Sequence, residues 1–420
     1  MADTSERLEI DLSILIKNIT AVTMDDERPV IETASVAVKS GRIFKITESV
    51  PDDINEYDEI IDGEGMVVAP GLINTHTHAA MTLMRSYADD MNLQDWLNDK
   101  IFPYEDKMTP ADVYRGSQIG LREMLESGTT CFNDMYFFQE DTAMAAKEIG
   151  IRAVLNDCVT DGNFEDKVKK TEKLISDFCD ESRMISVNIA PHSVYTCSSE
   201  TLKKCAEYAK SAGLDIHTHL SETEVENIDC VRDYGVSPAK HMENCGLFGV
   251  RSVAAHCVWL SDEDMDILLK HNVSVSHNPT SNLKLASGVA EVQKMIDKGI
   301  NVCLGTDGAS SNNNLDMFEE MKLAALLQKG ILRKPTAVPA YQALKMATVN
   351  GAKALGFDDL GALKEGYLAD MIILDFNRPH LTPNNDVIAN LVYSANGGDV
   401  AMTIVGGKIV YRKKGSKFDE

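Results

Sequence analysis

The chain has 420 residues, so at about 150 residues per domain it could hold two or three domains, or one long α/β barrel with an appendage. A hydrophobic fraction of 44% and a charged fraction of 25% are ordinary for a folded chain and exclude collagen-like, disordered and low-complexity classes. Asp and Glu number 65 against 41 Lys and Arg, a net charge of -24, and that field repels phosphate backbones and anionic lipid; neither nucleic acid nor membrane is expected as a partner.

The opening residues MADTSERLEIDLS are acidic where a secretory leader needs a basic start, so a cytoplasmic location is expected. Residues 14–61 then read as short strands: ILIKNITAVTM, followed by ASVAVKSGRIFKI with Ser40-Gly41 as a hairpin turn. From residue 66 to about 356 the texture becomes eight apolar runs that end in polar residues: MVVAPGLINTHTH, GTTCFNDMY, RAVLNDC, ISVNIAPHS, LDIHTHL, SVAAHC, VSVSHNP and NVCLGTDG. Helical stretches such as PADVYRGSQIGLREMLESG and SSETLKKCAEYAKSAG separate them, each with a start signal and a closing Gly. Eight βα units predict a (β/α)₈ barrel, in which functional side chains stand at the C-terminal ends of the strands. At the far end YLADMIILDF and VAMTIVGGKIVYRKKG return to strand texture, with Gly406-Gly407 as the turn. The expected organisation is a small β-sandwich domain assembled from residues 1–66 and 358–420 around a barrel of residues 67–357. Nine cysteines, at 131, 158, 179, 197, 205, 230, 245, 257 and 303, are scattered without a C-x-x-C pair, which predicts reduced thiols rather than disulfides or a zinc knuckle.

His76 and His78 stand two apart at the end of the first run; side chains alternate along a strand, so both imidazoles face the same way and can chelate a metal. The fifth run offers His217, His219 and Glu222. His219 is nearer the strand end and is the expected ligand, with His217 inside the barrel; Glu222 is placed either to shuttle protons or simply to begin a helix after Ser221. His256 closes the sixth run and Asp307 the eighth, where a carboxylate could ligate a metal and accept a proton, or could make an ordinary Asp-Gly turn. His277 could reach the same mouth or could hold a loop together.

Taken in order, PGLINTHTH, HTHLSE, AAHC, SHNPTSNLKLASG and LGTDGASSNNNLDMFEEM resemble the amidohydrolase superfamily, and within it the branch that deaminates methylthioadenosine and S-adenosylhomocysteine; GALKEGYLADMIILD resembles the segment returning from barrel to small domain. The resemblance implies one divalent metal, usually zinc, held by His76, His78, His219 and Asp307. It also implies that Glu222 protonates the purine ring nitrogen, that His256 stabilises the developing charge, and that Asp307 takes the proton of the attacking water as ammonia leaves. Trp96, Glu105 and His192 fall where such relatives meet the nucleoside and its ribose, although Trp96 would also serve as a lid residue packed for stability. Glu222 and Asp307 would touch substrate as well.

One departure bears on specificity. Where relatives that grip a homocysteine carboxylate resemble R-A-x-L-x-R, this chain has RAVLND, and Asp157 is expected to repel such a tail. That predicts 5'-deoxyadenosine as the leading substrate, methylthioadenosine next, and S-adenosylhomocysteine poorer. Relatives of this kind are commonly oligomers, so a homo-oligomer, up to a tetramer, is expected. The rival readings are a guanine- or cytosine-type deaminase on the same scaffold, and a non-catalytic protein that has kept the fold alone.

Overall fold

A computed structural model describes residues 12–418, so the acidic opening segment 1–11 lies outside the described residues. Five strands come first: β1 Ile14–Val22, β2 Val30–Lys39, β3 Arg42–Thr47, β4 Glu59–Asp62 and β5 Met66–Pro70. The barrel strands follow: β6 Leu72–Thr77, β7 Thr129–Tyr136, β8 Arg152–Val159, β9 Ile185–Pro191, β10 Ile216–Leu220, β11 Ser252–His256, β12 Ser274–His277 and β13 Val302–Leu304. The chain closes with β14 Met371–Asp375, β15 Val400–Val405 and β16 Lys408–Arg412.

Strands β6 to β13 form one parallel sheet in sequence order. The two edges meet where the Asp307 amide donates to the His76 carbonyl at 3.0 Å and Thr75 Oγ1 donates to the Leu304 carbonyl at 2.8 Å. This is the (β/α)₈ architecture the eight runs predict. Helices cap as the sequence indicates. Pro110–Glu126 begins at Thr109 with a reciprocal capping box through Asp112, and Ser199–Ala212 runs from Ser198 to a left-handed Gly213.

The remaining strands make a second, mixed sheet in the order β16-β15-β14-β5-β1-β2-β3, with β4 also beside β1, so both chain ends build one layer. Its core is Ile16, Ile19, Val36, Val38, Val68, Met371, Ile373 and Ile404. The run MVVAPGLINTHTH reads as a single strand, and the structure divides it: Met66–Pro70 pairs with β14 in the small sheet, while Leu72–Thr77 opens the barrel. Gly71 is the joint. A Cβ there would lie 2.0 Å from Thr130 Oγ1, so only glycine lets the chain change sheets at that point. The Gly406-Gly407 turn, with φ of 54° and 73°, supplies the two left-handed residues that a tight hairpin requires.

Arg152 at the start of β8 fastens the two sheets together. Its Nε and Nη2 donate to Asp370 Oδ2 and Oδ1, each at 2.9 Å, beneath a surface that leaves the two side chains 1% and 0% exposed. Among the described residues all nine cysteines are free thiols, and no helix is long and apolar enough to cross a membrane.

Candidate active site

Four strand ends deliver these polar side chains to one cavity of about 270 Å³, the scale of a small-molecule site. His78 comes from the end of β6, His219 and Glu222 from β10 and the turn after it, His256 from β11 and Asp307 from the turn after β13. His256 and Asp307 hold φ of 73° and 61°, left-handed backbone that a residue with a Cβ keeps only where its surroundings over-determine it.

The ring nitrogens are sorted by their partners. His78 Nδ1 donates to the Met135 carbonyl, and His219 Nδ1 donates to the His192 carbonyl at 3.0 Å, which makes Nε2 the nitrogen each ring can offer to a metal. His76 Nδ1 is engaged by His217 Nε2 at 2.7 Å, and its buried Nε2 has no hydrogen-bond partner. Asp307 Oδ1 lies 3.4 Å from His76 Nε2 and 3.2 Å from His78 Nε2. Ligand atoms of His76, His78 and His219 gather within 4.8 Å of one another, as do those of His76, His256 and Asp307.

Electrostatics point the same way. Burial drives the His76 pKa down to about 4, and burial with neighbouring imidazoles holds His219 well below its ordinary value, so both rings are neutral and able to ligate. Burial also works to lower His78, but the Asp307 carboxylate outweighs it and lifts that pKa to about 9. Asp307 is held well below the usual carboxylate range, burial notwithstanding, by His76 and His78. An ionised carboxylate among imidazoles wants a positive charge. A bound cation would take the place of the proton that Asp307 holds on His78, so the orphaned His76 nitrogen, the Nε2 atoms of His78 and His219 and that carboxylate together fit a divalent cation.

Around this cluster stand the groups that could move protons. Glu222 is buried, which raises its pKa, and its Oε2 lies 3.8 Å from His256 Nε2. The alternative of a helix-opening acid does not hold: Thr223, not Ser221, caps the helix Glu224–Tyr234, and Glu222 lines the cavity ahead of it. Its backbone is clamped by Glu226, whose two oxygens accept the amides of Ser221 and Glu222 at 2.9 and 2.8 Å. His256 Nδ1 meets Asn282 Oδ1 at 2.8 Å. Asp307 makes its turn as well as serving the cavity, since Oδ1 accepts the Gly308 amide at 2.8 Å.

Trp96, Glu105 and His192 all line the cavity. Trp96 belongs to an apolar lid cluster with Leu97, Ile101 and Leu285, so packing and substrate contact fall on the same ring. Glu105 Oε1 accepts from Tyr136 Oη at 2.7 Å, and burial pushes its pKa up to about 7. Burial and the neighbouring His78 push His192 down to about 3, so that ring is neutral.

Two expectations are redrawn. Asp157 does not line the cavity. It points into the helix layer, where its Oδ1 takes Lys167 Nζ at 2.5 Å, and of the two Lys167 is the one that lines the cavity. Strand alternation explains it: Cys158, one residue on, faces the cavity instead. His277 is also absent from the lining, with both ring nitrogens buried and unpartnered among the described residues. His217, as expected, lies inside the barrel, with Nδ1 2.7 Å from Asn133 Nδ2.

Tyr136, Lys167, Ser281, Ser311 and Glu226 escaped the sequence reading. Tyr136 was findable as the last residue of its strand, by the rule that picks out His256. Lys167 lies on the helix Phe164–Phe178, and no local pattern separates it from its solvated neighbours.

The chain matches the amidohydrolase family over residues 67–410. It is 48% identical over 402 residues to a 5'-deoxyadenosine deaminase of Methanosarcina mazei, covering 94% of this chain and 92% of that one. It is 45% identical over 409 residues to a 5-methylthioadenosine/S-adenosylhomocysteine deaminase of Thermoanaerobacter pseudethanolicus, covering 96% and 94%. Among solved structures, a zinc-bound adenosine deaminase from Xanthomonas campestris superposes with a TM-score of 0.89 at 33% identity, covering 94% of this chain and 92% of that one. With the barrel, the histidine-aspartate cluster and a match spanning most of its length, this chain belongs to the amidohydrolase family.

Proposed function

We propose that this protein is a metal-dependent hydrolytic deaminase of adenosine-type nucleosides derived from S-adenosylmethionine, with 5'-deoxyadenosine leading and methylthioadenosine next. Nucleoside and water would give the inosine analogue and ammonia. The observation that carries the reading is the convergence of His78, His219, Glu222, His256 and Asp307 on one cavity that Glu105 and His192 also line. The activities carried by the two relatives' names agree with it.

His76, His78, His219 and Asp307 would hold the metal, most simply zinc. When bound, such an ion supplies Lewis acidity that brings the pKa of water from 15.7 to about 7. The chain's own groups do the rest. Asp307, kept ionised, accepts the proton of the attacking water. Glu222, with its pKa raised, donates to the ring nitrogen next to the carbon under attack. His256, steadied by Asn282, turns Nε2 towards the oxygen on which charge develops. Glu105 and His192 hold the ribose hydroxyls, and the Trp96 cluster excludes water.

The expected exclusion of a carboxylate tail loses its basis, because Asp157 is paired inside the wall and Lys167 faces the cavity in its place, and the leading rank of 5'-deoxyadenosine rests instead on the name of the 48% identical relative. S-adenosylhomocysteine therefore belongs among the expected substrates. A side-by-side ultraviolet assay of 5'-deoxyadenosine, methylthioadenosine, S-adenosylhomocysteine, adenosine and guanine, compared by kcat/KM, tests the reading. 5'-Deoxyadenosine should lead and guanine should be inert; turnover of guanine alone would overturn it. A cytoplasmic homotetramer completes the proposal, and light scattering on the purified protein tests the assembly state.

A further inference from the structure

The carboxylate of Asp307 is aimed by two hydroxyls. Ser281 Oγ and Ser311 Oγ donate to its Oδ2 at 2.6 and 2.9 Å, the first from the segment after β12 and the second from the segment after β13. Those strands end at His277 and Leu304, so the sheet itself does not set one segment against the other at this level.

One side chain spans the gap. Glu320, on the helix Met317–Leu332, is fully buried; its Oε2 accepts the Thr280 amide at 3.2 Å and its Oε1 accepts Asn312 Nδ2 at 2.7 Å. Asn312 Nδ2 donates also to the Thr306 carbonyl at 2.7 Å. Thr280 adjoins Ser281, Asn312 adjoins Ser311, and Thr306 adjoins Asp307, so Glu320 ties down a neighbour of each hydroxyl that donates to the carboxylate, and Asn312 passes the tie on to the residue before Asp307. Glu320 is not among the residues lining the cavity. Both its partners are neutral, a backbone amide and a carboxamide, so no cation offsets the burial of this carboxyl, and burial pushes its pKa up to about 8.

We propose that Glu320 is a positioning residue for Asp307: it locks the two hydroxyl-bearing segments in one register, so that the carboxylate meets His76 and His78 in the ligand arrangement. The proposal rests on the reading of Asp307 as metal ligand and proton acceptor.

Glu320→Gln keeps the volume but turns an NH₂ group on one of the two donors. Zinc affinity, measured by competition with a chromogenic chelator on the metal-stripped full chain, should weaken about 10- to 100-fold. With saturating zinc, kcat should fall by a similar factor while KM for 5'-deoxyadenosine stays within about twofold. Asn312→Ala cuts the same tie from its other end and should do the same, and the double variant should be little worse than the more affected single one. If Glu320→Gln fails to fold, Asn312→Ala carries the test. A lowered Tm with unchanged zinc affinity and kcat would mean that Glu320 only packs its helix, and would overturn the proposal. A wild-type protein that binds no zinc and deaminates nothing would instead overturn the function on which it rests.

Discussion

The two ends of the barrel bury polar groups to the same depth and treat them in opposite ways. At the N-terminal end of β8, Arg152 is closed off completely: Nε and Nη2 on Asp370, Nη1 on the Arg183 carbonyl at 2.8 Å, and the remaining capacity of Asp370 filled by the Gly406 amide at 2.7 Å. At the C-terminal end, His76 Nε2 has no partner, and Asp307 holds extra positive charge on His78. Burial by itself therefore does not mark a functional group. A buried site whose valences are all met within the protein joins two sheets, and one whose valences point into a cavity is left for a ligand.

The contrast can be broken from either end. The largest effect is expected at the open end, where Asp307→Asn removes the carboxylate proposed as ligand and proton acceptor; kcat should fall on the order of 10⁴-fold with zinc affinity reduced, read by steady-state kinetics and metal analysis. Glu222→Gln should follow, with kcat lower by about 10²- to 10⁴-fold and metal content retained, because Glu222 moves a proton without being a ligand in this reading. At the closed end, Arg152→Met strands a buried carboxylate and should cost about 3–5 kcal/mol in denaturant unfolding, with kcat per folded molecule unchanged. A loss of kcat there would mean that the two ends are coupled and that the contrast is drawn too sharply.

The smallest effect sharpens the comparison through pH. Burial pushes Glu226 from 4.5 up to about 7 in the folded protein. Between those values the folded state holds a proton that the unfolded state has released, so this group makes stability fall as pH rises from about 4.5 to about 7 and stay level above. Glu226→Gln should flatten that part of the profile in unfolding measurements across the range. An unchanged slope would mean that Glu226 is ionised in the fold, as closed off as Asp370.

Much of this was legible in the chain. Eight apolar runs ending in polar residues prescribe the barrel, because a strand buried on both faces is apolar along its length and exposes chemistry only where it ends. The same rule selects His76, His78, His219, His256 and Asp307, and the structure gathers all five. It fails where a side chain's direction depends on another element. Asp157 sits at a strand end yet faces away, and Lys167, from the following helix, takes the place at the wall.

Local periodicity and the polar residues that interrupt it determined the strands, the order of the units and which polar residues stand at the strand ends, since each depends on neighbours within a few positions. Only the tertiary structure decided that Gly71 divides one apolar run between two sheets, that Asp157 is neutralised inside the wall, and that Glu320 stands behind Asp307. Those outcomes depend on contacts between segments far apart in the chain, and no local pattern encodes which distant partner will satisfy a buried polar atom.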